Sequence, residues 1–102
     1  MREVVYDLEE FLSQAKGRMH YEILREPYDA GGLVGYRLRL VLSARSKEGH
    51  IVKYEEERVL DPFEVRGEHG NAYDALKEAY ARTVEEFTSK AKALGATPGR
   101  WC

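Results

Sequence analysis

At 102 residues the chain has room for one domain and one hydrophobic core. Its 16 basic and 18 acidic side chains are spread evenly, 10 against 11 in residues 1–60 and 6 against 7 in residues 61–102. That balance speaks against the basic surplus of a nucleic-acid-binding domain, and the chain has no apolar run of the about 18 residues a membrane span needs.

The N-terminal run Met1-Arg2-Glu3-Val4 turns acidic by Asp7 and contains no apolar signal region. Val4-Val5-Tyr6 can add a short extended segment. Residues 7–17 then read as a short helix. Asp7 suits the cap, Glu10 completes a capping-box pattern, and Tyr6 with Phe11 fits a hydrophobic staple. Leu8, Phe11, Leu12 and Ala15 share one helical face, and Gly17 suits the left-handed residue that closes a helix.

Three runs alternating with period two follow. Met19, Tyr21 and Ile23 share a face in residues 18–25. Val34, Tyr36, Leu38, Leu40, Leu42 and Ala44 do so in residues 33–45, and Val52, Tyr54 and Leu60 in residues 50–60. Glu56 and Arg58 interrupt the third inward row, which suggests a bulge or a strand end leaving the core. The connections 27–32 and 46–49 are rich in turn formers and short enough for hairpins, so the sheet reads as a three-stranded antiparallel meander.

Residues 61–70 read as a loop, and residues 72–94 as a long helix capped by Asn71, with Asp74 in its first turn, Lys90 and Lys92 in its last, and Gly95 beyond. Tyr73, Leu76, Tyr80, Val84, Phe87, Ala91 and Leu94 form its apolar stripe. The expected fold is therefore α+β in the order α-β-β-β-α, a domain of residues 1–95 with the long helix across one sheet face, followed by an irregular tail of residues 96–102. Five tyrosines, Tyr21, Tyr36, Tyr54, Tyr73 and Tyr80, fall on inward positions; several half-exposed would mean that the helix does not cover the whole sheet and that a second subunit does.

The outward positions carry the most informative pattern. Pairing Leu42 with Val52 sets Arg39 against Glu55 and Arg37 against Glu57, and pairing Ile23 with Tyr36 sets Glu22 beside Arg37 and His20 beside Arg39. A slip of two residues would instead set Arg39 against Glu57. That slip would leave Arg37 without its Glu57 partner, whereas the first register neutralises two of the three arginines that read alone as a nucleic-acid platform.

Catalytic chemistry finds little support. Cys102 is the only thiol, which excludes an internal disulfide and suits a reducing, cytoplasmic setting. No serine lies in a Gly-x-Ser-x-Gly setting, and the Ala30–Gly35 stretch lacks the lysine of a phosphate loop and leads into a strand. His20, His50 and His69 have no metal-motif spacing, although His50 and His69 could approach one another beside Asp61 or Glu68. No catalytic, cofactor or metal residue is therefore expected. Richness in Glu, Arg, Lys and Tyr would suit a thermophile.

The expected element order resembles that of the double-stranded-RNA-binding domain, and a related order occurs in ribosome-hibernation factors. RNA-binding members carry a lysine cluster at the start of the last helix, where this chain reads Gly70-Asn71-Ala72-Tyr73-Asp74-Ala75-Leu76-Lys77. The resemblance is one of topology and implies few phosphate contacts. The first expectation is a non-enzymatic binding or regulatory module acting by protein–protein contact, as a homo-oligomer, through Arg37, Arg39, Glu55, Glu57, Tyr28 in the 27–32 loop and Trp101 in the tail. The alternative is a nucleic-acid- or ribosome-associated protein using Arg18, Arg37, Arg39 and Arg45.

Overall fold

The computed structural model describes residues 2–69 and 71–99, with side chains at all of these except 2, 3, 30, 66–69 and 72. Strand β1 (Arg2–Val5) leads into helix α1 (Leu8–Gln14), then strands β2 (Ala15–Ala30), β3 (Leu33–Ser46) and β4 (Ile51–Leu60). Helices α2 (Pro62–His69) and α3 (Ala72–Ala93) follow, and a two-residue strand β5 (Thr97–Pro98) is the last described element. The sheet order is β1-β4-β3-β2-β5. The expected antiparallel meander forms its centre, but the sheet is mixed rather than three antiparallel strands, because β1 joins β4 and β5 joins β2 in parallel. Among the described residues no helix is long and apolar enough to cross a membrane.

The short edge strands arise from local geometry. Val5 lies on the inward row beside Tyr54 and is buried, while Val4 points the other way and stays exposed. At the other edge α3 closes with Gly95 at φ 85°. The Gly95 amide donates to the Lys92 carbonyl and the Ala96 amide to the Ala91 carbonyl, a Schellman arrangement. That turn aims Thr97–Pro98, in the stretch expected to be irregular, along β2, where the Gly99 amide reaches the Tyr21 carbonyl.

Several local features differ from the expected ones. Helix α1 ends at Gln14, and Gly17 (φ 77°) sits instead in a bulge between Lys16 and Met19 of β2. Asp7 caps α1 through the Glu9 and Glu10 amides, but the staple does not form: Tyr6 is 78% exposed while Phe11 packs against Tyr54. Strand β2 runs on through Ala30 because Gly31 and Gly32, at φ 65° and 102°, make a two-residue turn with both central residues left-handed. The register shifts accordingly, and Ile23 faces Leu40 rather than Tyr36. In the second hairpin Leu42 faces Tyr54 rather than Val52, the two-residue slip, with Ser46 and His50 closing the loop. Residues 62–69 are helical rather than looped. Asp61 accepts from the Phe63 amide, and Pro62, whose ring suits a first helical turn, is buried.

All three helices lie on one side of the sheet. The core joins Leu38, Leu40, Leu42, Val52 and Tyr54 of the sheet to Phe11 of α1 and to Leu76, Phe87 and Ala91 of α3. Strand β4 has no bulge, since its register is continuous from Ile51 to Leu60. The charges that interrupt its inward row are met by the helix: Arg58 pairs with Glu86 and lies over the Phe87 ring, and Glu56 pairs with Lys90 at 2.6 Å. Burial pushes the nearby Tyr54 phenol above its ordinary value, the Glu56 carboxylate adding to the effect and Lys90 opposing it.

Candidate functional site

Two surfaces of the molecule gather polar chemistry. The first is the sheet face opposite the helices. Alternation along β3 puts Arg37, Arg39 and Arg45 on this face, and the register adds Glu22 and Glu26 from β2 and Lys53, Glu55 and Glu57 from β4. Although Arg39 stands directly across from Glu57, the side chains reach diagonally. Arg37 Nε lies 2.6 Å from Glu57 Oε1, while Arg39 contacts Glu26 at 3.2 Å and Glu55 at 3.5 Å. The first contact is an ion pair without hydrogen-bond alignment. The slip in register thus preserves the expected Arg37–Glu57 and Arg39–Glu55 partners, because long side chains span one diagonal step. Glu26 takes the place expected for Glu22 and His20, a consequence of the tight Gly31-Gly32 turn.

Tyr28 belongs to this surface as well, its ring 5.9 Å from the Arg37 guanidinium. Sequence reasoning therefore names five residues that the fold brings onto one face: Tyr28, Arg37, Arg39, Glu55 and Glu57. The sixth, Trp101, lies outside the described residues, as does Cys102. Two aliphatic side chains that sequence reasoning missed stand among the charges. Leu24, opposite Arg39, is 37% exposed, and Val59, opposite Arg37, is 39% exposed. Their signal is plain once the register is known, since both break the polar rows of their strands.

The second surface is a half-open cleft of about 280 Å³ between the far end of the β2–β3 hairpin and the first turns of α3. It exists because three tyrosines expected in the core are not covered. Tyr73 is 73% exposed, Tyr36 and Tyr80 are half-buried, and Val34, expected inward, is 58% exposed. Tyr36 and Tyr80 meet edge to face with centroids 5.3 Å apart, and the Arg25 guanidinium lies 5.6 and 5.9 Å from their centroids. Lys77 and Leu76 complete the wall on the helix side.

Among the described residues no group of three or more His, Cys, Asp and Glu side chains converges in a way that could hold a metal. The approach of His50 to His69 falls outside the description through the His69 side chain. His20 lies at the opposite edge, its Nδ1 3.4 Å from Thr97 Oγ1. Comparison with protein-family models, with curated proteins and with solved structures finds no match.

Proposed function

We propose that the protein is a non-enzymatic binding module that works by protein–protein contact, and that its helix-free sheet face pairs with a second copy of the chain. The carrying observation is the charge layout of that face. Arg37, Arg39 and Arg45 of β3 form a basic row on it, between Glu22 and Glu26 of β2 and Glu55 and Glu57 of β4, with Lys53, Leu24 and Val59 among them. A patch that holds both signs in this way can complement itself after a two-fold rotation, which is the symmetry of most homodimers. The exposed Leu24 and Val59 supply apolar contact between the charged rows, where an interface core excludes water. The same ion pairs weigh against a phosphate-binding role, because Arg37 and Arg39 are already held by three carboxylates.

Light scattering across protein concentration, with and without reductant and at low and high salt, tests this reading. A dimer indifferent to reductant is expected, and Leu24→Asp should convert it to a folded monomer. A wild-type chain that is monomeric under every condition would overturn the proposal. Retention on immobilised RNA at low salt, lost as salt rises, would then favour the nucleic-acid alternative.

A further inference from the structure

The cleft at the end of the hairpin brings an arginine, a lysine and three tyrosines together. Arg25 occupies an inward row of β2, facing Leu38 across the register, where the neighbouring inward positions Tyr21 and Ile23 are apolar. It is not there to close an ion pair. Among the described residues neither Arg25 nor Lys77 has a carboxylate partner, and Asp74, one helical turn before Lys77, makes no bridge to it. This contrasts with the sheet face, where arginine and glutamate are matched. The guanidinium rests instead against the rings of Tyr36 and Tyr80. None of the hydroxyls of Tyr36, Tyr73 and Tyr80 hydrogen-bonds another described residue.

The geometry points to this cleft as a binding site for a small planar aromatic anion, a single or fused ring bearing a carboxylate or a phosphate. Each part of the cleft meets one part of such a ligand. Arg25 presents a planar fork that matches a carboxylate or phosphate with two parallel hydrogen bonds, and Lys77 adds a second positive charge from the helix side. The tyrosine rings offer faces and edges to a flat apolar body, while Val34 and Leu76 supply aliphatic wall. The phenol hydroxyls can donate to the anionic group. At about 280 Å³ the cleft lies just under the range typical of drug-sized ligands, so the occupant is a one- or two-ring molecule rather than a dinucleotide. The inference is independent of the proposed dimer, which uses the opposite face of the sheet.

Backbone amide chemical shifts of the full chain, titrated with benzoate, phenyl phosphate, inorganic phosphate and benzyl alcohol, provide the test. The expected result is saturable shifts confined to residues around Arg25, Tyr36, Lys77 and Tyr80 with at least one of the two aromatic anions. The stronger of these identifies the anionic group. Inorganic phosphate and benzyl alcohol should bind at least tenfold more weakly, since each lacks half of the recognised chemistry. Arg25→Ala and Lys77→Ala should each weaken the aromatic anion about tenfold, in line with the loss of a charged hydrogen bond, and Lys77→Arg should retain it. Because all these positions are at the surface, preserved amide spectra will show that the variants fold. Absence of shifts with both aromatic anions would overturn the site. Equal response to benzyl alcohol, or binding unchanged in both alanine variants, would do the same. Shifts in the cleft that grow with protein concentration alone would show that a second copy occupies it, which also overturns the proposal.

Discussion

At the scale of single residues, Gly35 shows how closely the backbones of this small fold approach one another. It is buried in β3, and a β-carbon built on it would stand 2.0 Å from the Leu60 carbonyl oxygen and 2.8 Å from the Pro62 ring. The obstacle is space at the corner where β4 turns into α2, with no left-handed backbone involved. Gly35→Ala should therefore destabilise the protein by about 1–3 kcal/mol, the usual range for overpacking a well-filled core. The midpoint of urea unfolding measures this, and an unchanged midpoint would mean the corner can open freely. Nothing in the sequence distinguishes Gly35 from the turn glycines before it, because the contact depends on residues 25 positions downstream being folded against it. Tyr73 carries the same lesson from the other side. Its place in the helical stripe is right, yet it is exposed at the cleft between the first turns of α3 and the far end of the hairpin.

At the scale of elements, the capping chemistry written in the sequence reappears at the start of both expected helices. Helix α3 starts at the expected cap, with the Asn71 side chain accepting from the Tyr73 and Asp74 amides, and it closes at Gly95 as its pattern requires. Asn71→Ala should cost about 1 kcal/mol, the typical worth of such a cap. Thermal unfolding followed by circular dichroism reads the loss, and Asn71→Asp, which keeps the acceptor, should restore it. Helix α2 escaped the sequence reading although its start signal is present in Asp61-Pro62, a capping residue followed by a first-turn proline. Gly67 inside the segment is a poor helix former, and the packing of α2 against α3 outweighs that weak intrinsic preference.

At the scale of the whole molecule, the chain is long and narrow, with extents of 50 × 24 × 21 Å. Its radius of gyration of 15.7 Å exceeds the about 13 Å usual for this length. The hairpin is responsible, since β2 and β3 pair with one another out to Ala30 and Leu33 while β4 covers β3 only between Tyr36 and Arg45. A two-stranded ribbon is marginal by itself, and local opening follows the density of packing. Hydrogen exchange should accordingly be slowest at Leu38–Leu42, paired with β2 on one side and β4 on the other, and faster by orders of magnitude at residues 28–34. Uniform protection along both strands would mean that something covers the hairpin tip.

The sequence by itself determined the three central strands, the helix N-caps Asp7 and Asn71, most of the inward rows, and Glu57 and Glu55 as partners of Arg37 and Arg39. These rest on periods of two and 3.6 residues and on side chains long enough to tolerate a shifted register. Only the tertiary structure decided the registers themselves, the parallel edge strands and the helix at Pro62–His69. It alone also decided the cleft, because Arg25, Tyr36 and Lys77 meet only when the first turns of α3 lie against the hairpin. Their positions lie far apart along the chain, and no local pattern links an inward arginine on a strand to a lysine one turn into a helix.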